Sequence, residues 1–117
     1  MVKRDTIQRV ATPTAILVGV VEPLATVCAD TLAAGGLRVL RVGHVAAACE
    51  RIPVVMPQLV VVSTMLRADD TDMLTDRCVA VGAEIIKVPP EAGAATVRTT
   101  LKDAANVALI RSLRRGS

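Results

Sequence analysis

Two short runs in this chain are apolar without alternation: Ile16-Leu17-Val18-Gly19-Val20-Val21 and Leu59-Val60-Val61-Val62. Successive strand residues point to opposite faces of a sheet, so a strand with one wet face alternates apolar with polar. A strand that is apolar throughout must be covered on both faces, a condition met by parallel sheets with helices on each side. Between and beyond these runs the spacing turns helical. Leu24, Val27, Cys28 and Leu32 share one face of a helix that opens at Pro23 and is capped by Gly35-Gly36. The first strand is expected over 14–20, a second over 37–42, and a short helix over 45–52, ended by Pro53. A third strand over 58–63 precedes a helix capped by Asp70 or Thr71, with Leu74, Cys78 and Val81 on one face and its end at Gly82. Glu84 to Val88 make a fourth strand. A last helix from Glu91 to about Arg115 keeps Val97, Leu101, Ala104, Ala105, Ala108 and Leu109 in helical spacing. The order βαβαβαβα is α/β: a three-layer sandwich with a parallel sheet of about four strands and helices on both faces.

The 117 residues predict a lead-in over 1–13, ending at Thr12-Pro13, and a single domain over 14–117 with an extended C-terminal helix. The chain is 52% hydrophobic yet has no Phe, Tyr or Trp. Its core is therefore aliphatic, and stacking on bases, the usual mode of single-stranded nucleic-acid recognition, is excluded. No apolar run approaches the roughly 18 residues that a membrane span needs, and Met1 to Asp5 lead into no apolar stretch of the kind a secretory signal has. A mean hydropathy of +0.51 without a membrane segment implies that part of the surface is covered by another chain. Cys28, Cys49 and Cys78 are odd in number and widely spaced, which points to reduced thiols in a cytoplasmic protein. With no Cys-x-x-Cys and a solitary His44, no metal site is expected. Gly19 and Gly35-Gly36 belong to no nucleotide-binding glycine motif, so no cofactor is expected either.

Ile16-Leu17-Val18-Gly19-Val20-Val21-Glu22-Pro23 and Pro57-Gln58-Leu59-Val60-Val61-Val62-Ser63 resemble the first and third strands of the CheY-like receiver domain of bacterial response regulators. Val79-Ala80-Val81-Gly82-Ala83-Glu84 is similar to the family's segment before its last strand. The resemblance implies a flavodoxin-like fold and a place in two-component or phosphorelay signalling. In the family an acid pair after strand one holds Mg²⁺, an aspartate ending strand three takes the phosphoryl group, and a lysine precedes a proline after the last strand. At the matching positions this chain has Val20 and Val21, Ser63 and Val88, and of the local acids only Glu22 remains. Lys87 stands one place early, on the other face of its strand. The spacing from Ser63 to Gly82 is also shorter than the family's by about one βα unit.

Phosphoryl transfer to a receiver needs a carboxylate nucleophile and a metal held by acids, so the reading is a degenerate, phosphorylation-independent receiver and not an enzyme. At least one of Val20 and Val21 is expected to be buried, and Ser63 to bond a nearby loop amide. The alternative is a small α/β nucleotide-binding or cofactor-binding protein, or an enzyme, using the pocket at the strand C-terminal ends. Asp69, Asp70, Asp72 and Asp76 cluster near a helix start, where acids are favoured. The charge is uneven: residues 14–97 hold six basic and nine acidic side chains, and 98–117 hold five basic and one acidic. Leu109, Ile110 and Leu113, with Arg111 and Arg114, form the candidate interface, and the expected partner is protein, most simply a second copy.

Overall fold

The computed structural model describes residues 12–116. Four strands, β1 (Thr14–Val18), β2 (Arg38–Val42), β3 (Leu59–Ser63) and β4 (Glu84–Val88), alternate with four helices, α1 (Leu24–Ala34), α2 (Val45–Val55), α3 (Ala68–Val81) and α4 (Ala94–Gly116). All strand pairs are parallel, in the order β2-β1-β3-β4. This is the doubly wound order 2-1-3-4-5 without its fifth strand, and it leaves β4 as an edge. Of the expected lead-in, residues 1–11 lie outside the described region; Pro13 belongs to the fold, its carbonyl accepting from the Arg38 amide at 2.9 Å.

The two unbroken apolar runs sit in the sheet centre. Every residue of β1 and of β3 is buried, whereas the edge strands β2 and β4 are only partly covered. Side-chain parity divides the interior into two layers. Ala15, Leu17, Leu59 and Val61 meet Leu24, Cys28 and Leu32 of α1 and Val97, Leu101, Ala105 and Ala108 of α4. Ile16, Val18, Val60 and Val62 meet Val45, Ala48, Cys49 and Ile52 of α2 and Leu74 and Cys78 of α3. All three cysteines are free and buried.

Four boundaries differ by more than one residue from those read in the sequence. β1 stops at Val18 instead of 20, because Gly19 turns left-handed (φ 68°) while its amide donates to the Val42 carbonyl. α2 runs through Pro53 to Val55. The proline removes one amide, but fully buried Ile52 anchors that turn and accepts from the Met56 amide at 2.9 Å. α3 begins at Ala68 with Arg67 at its N-cap and no side-chain cap, so Asp70 and Thr71 lie inside the first turn. α4 starts at Ala94, since Gly93 and the residues before it form its approach; its 23 residues still span about 34 Å. The caps at Gly35-Gly36 and Gly82 are found as expected. Leu37 and Gly36 donate back to Leu32 and Ala33 in a Schellman closure that needs the positive φ of Gly36 (98°).

Candidate functional site

The crevice of an open α/β sheet lies beyond the carboxyl ends of its strands, where the order reverses between β1 and β3. Here that end is occupied by hydrocarbon. Val20 is half-buried against the α1/α4 layer and Val21 is 64% exposed. Neither is fully buried, contrary to the expectation for at least one of them, because the chain leaves the sheet at Gly19 before reaching them. Leu66 lies over this turn, 3.2 Å from where a side chain on Gly19 would stand.

Glu22 is the acid that follows β1, and both of its oxygens are engaged. Oε1 accepts from the Thr26 amide at 3.0 Å and the Thr26 hydroxyl at 2.7 Å, and Oε2 accepts from Arg41 Nη2 at 2.6 Å. The Arg41 and then the Thr26 hydrogen bonds hold its carboxyl down to about 2. The side chain thereby satisfies an orphan amide at the start of α1 and bridges to β2. It is not positioned as a metal ligand, and the receiver's Mg²⁺ does not fit these residues: valines stand where the acid pair would be. Among the described residues no three His, Cys, Asp or Glu converge on a point.

Ser63 is buried, and its hydroxyl oxygen accepts from the Met65 amide at 3.0 Å, the local turn expected of it. Val88 pairs with Ser63 across the sheet and is buried in the α1/α4 layer, so the residue beside position 63 is aliphatic. Lys87 pairs with Val62, faces the α3 side and is exposed. With Ser63, Thr64, Leu66, Ala68, Thr71 and Asp72 it lines an open depression of about 440 Å³ between the β3 and β4 ends and the start of α3. No ion pair forms there among the described residues. Polar side chains reach the depression from the β3 end, from α3 and from β4, and among the described residues no hydrogen bond pairs a nucleophile there with a base. His44 is at the N-cap of α2, exposed and making no side-chain cap.

The residues singled out near the C-terminus divide into two groups. Ile110 and Leu113 are 43% and 60% exposed, and Leu109 is half-buried beside Gly36. Val107, at 47%, extends this apolar surface and was not anticipated. Arg111, by contrast, is held internally: Nη2 donates to the Gly82 carbonyl at 2.7 Å, closing the end of α3, and Nη1 lies 3.9 Å from Glu84. Arg114 is exposed on the last turns of the helix. Reading the sequence alone also missed Arg41, whose pairing with Glu22 depends on β1 and β2 being neighbours. The i, i+4 spacing of Glu22 and Thr26 was the available signal for the other half of that cap.

No protein-family model matches the sequence, and no curated protein does. Among solved structures, the chain is similar to the signal receiver domain of a protein described as a Luxo repressor from Vibrio parahaemolyticus, with 16% identity over 91% of this chain and 99% of that one and a TM-score of 0.56. A likeness at that identity carries the fold, and with the strand order above it establishes that this chain folds as a CheY-like receiver domain, its sheet reduced to four strands.

Proposed function

We propose that this domain is a signalling adaptor that works without phosphorylation, by protein contact, and that its first partner is a second copy of itself. The observation that carries the reading is the combination at position 63: a serine whose hydroxyl is engaged by a loop amide, beside an aliphatic Val88, in a depression that holds a single carboxylate, Asp72. Aspartyl phosphorylation would need a carboxylate at position 63 itself and several acids to hold the metal; position 63 is serine, Glu22 is bonded to Thr26 and Arg41, and Asp72 alone does not make a metal site. What the domain offers instead is apolar surface on the second half of α4. Covering a leucine-sized side chain contributes about 1.5–3 kcal/mol when it goes from fully exposed to fully buried; Leu109, Ile110 and Leu113 are already partly covered, so together they contribute a few kcal/mol per chain toward association. The buried, reduced thiols suit a cytoplasmic setting, and among the described residues no helix is long and apolar enough to cross a membrane.

The test is mass in solution by light scattering, with concentration taken from refractive index because the chain has no aromatic residue. The parent should exceed the 12.2 kDa of one copy at micromolar concentration, and the triple replacement of Leu109, Ile110 and Leu113 by Ser should return a folded monomer. Acetyl phosphate or beryllofluoride with Mg²⁺ should change neither the mass nor the assembly. A stoichiometric acid-labile adduct, or a parent that stays monomeric, rejects the proposal.

A further inference from the structure

We infer that the groove between α1 and α4 is the docking site for the acidic α3 helix of a second copy. This rests on the self-association reading and names its complementary surface. The groove holds about 460 Å³ and is walled by α1 from Asp30 to Gly35 and by Arg98, Lys102 and Asn106 of α4. Residues four apart share one side of a helix, and Leu109 continues the stripe: its side chain lies 3.8 Å from where a Cβ on Gly36 would stand. The wall therefore runs from basic to apolar over eleven residues, about 16 Å. Arg98 and Lys102 are exposed and make no ion pair among the described residues.

The outer face of α3 has the same grading in opposite charge. Asp69, Asp72 and Asp76 are exposed, with Met73 between them, and the face ends in Val79, 74% exposed. None of these acids makes an ion pair among the described residues either. From Asp69 to Val79 the helix rises about 15 Å, matching the groove. Laid parallel to α4, it sets carboxylates against Arg98 and Lys102 and Val79 against Leu109. Asp30 on the α1 wall is the groove's own acid, and Arg77 is the side chain of α3 able to answer it.

The fold then dictates the symmetry. The groove is on the α1/α4 face of the sheet and the acidic stripe on the opposite one. A copy that inserts α3 into its neighbour leaves its own groove open to a third, so the contact is head-to-tail and grows past two copies unless it closes as a ring.

The experiment compares three folded proteins by light scattering in about 0.1 M salt: the parent, Arg98→Glu/Lys102→Glu, and Asp69→Asn/Asp72→Asn/Asp76→Asn. All of the substituted side chains are exposed, and far-ultraviolet circular dichroism verifies folding. The parent should grow beyond two copies with concentration, and the growth should weaken about tenfold in about 1 M salt, where screening reaches only about 3 Å. Each variant alone should be a monomer. Their equimolar mixture should give two copies and no more, because one intact groove meets one intact helix and the remaining ends are dead. A parent that stops at two copies, unaffected by the α3 changes, overturns this inference and leaves self-association through α4 standing. Monomeric variants that fail to pair when mixed, or variants that still grow, overturn it as well. A monomeric parent removes both readings.

Discussion

At the carboxyl ends of the strands, Glu22 gives both oxygens to Thr26 and Arg41, and Ser63 takes the Met65 amide. At the opposite end of the sheet, where α4 finishes, Ile110 and Leu113 stand in solvent and Leu109 is only half covered. In a receiver fold the first region is where chemistry is expected and the second is scaffold. Here Glu22 and Ser63 are closed on their neighbours, while the second exposes surface that costs free energy until something covers it. On the proposed reading, the fold keeps its geometry while the end where chemistry is expected serves structure and the α4 end serves contact.

The largest stability effect is expected where α4 is fixed to α1. A Cβ on Gly35 would lie 2.8 Å from the Ala105 Cβ, and neither group has a torsion with which to move aside. Gly35→Ala should cost about 3 kcal/mol, at the upper end of overpacking penalties. Because it displaces the wall that carries Leu109, it should also disturb self-association more than any change at the strand ends does. A chemical-denaturation series checks the first effect and light scattering the second. If Gly35→Ala is as stable as the parent, α4 is not held in close register on α1, and the contrast between the two ends loses its basis.

The contrast also shows what the sequence could reveal. Unbroken apolar runs at 16–18 and 59–62 fixed a parallel, doubly covered sheet because burial on both faces leaves no other arrangement. Gly35-Gly36 and Gly82 marked helix ends through backbone geometry, which is local. Val20, Val21 and Ser63 are legible as plain identities. Long-range pairings were not visible. Arg41 reaches Glu22 only because β2 lies beside β1, and Arg111 is held on the Gly82 carbonyl across 29 residues of sequence. Arg111, expected at the interface, therefore also has a role within the chain that its sequence position does not reveal. The groove of Arg98 and Lys102 was illegible for the same reason: its other wall is α1, more than sixty residues earlier. Pro53 misled because a proline's local cost was weighed without the burial of Ile52 that offsets it.

A smaller effect separates the two valines that follow β1, Val20 and Val21. Val20 packs against the α1/α4 layer and Val21 is largely in water. Val20→Asp should destabilise by about 1–2 kcal/mol through partial burial of an unpaired carboxylate, whereas Val21→Asp should stay within about 0.5 kcal/mol. Thermal melts of the two single variants at neutral pH distinguish them. Equal losses would mean that both side chains are covered in solution, and that the strand end is a second contact surface rather than a closed one.

The smallest effect lies in the acid range and probes how tightly the strand end is locked. The Glu22 carboxyl titrates at about 2 in the folded chain against an ordinary 4.5, because Arg41 and Thr26 bond its charged form. Above about pH 4.5 the group is charged whether the chain is folded or not, and those bonds add their full share of stability. As the pH falls from 4.5 toward 2 the unfolded chain takes up the proton first, and the share drains away until it is gone below about 2. Glu22 and Arg41 are both exposed, at 58% and 48% for their side chains, so water and salt screen the pair and the share is small. Glu22→Gln should therefore lower the melting temperature slightly at pH 6, and the gap should close between pH 4.5 and 2 or in high salt. A glutamine oxygen still accepts from Thr26 but loses the charge toward Arg41. If the gap at pH 6 survives unchanged at pH 2, the carboxylate's charge is not what holds this end together, and the helix cap alone accounts for the lock.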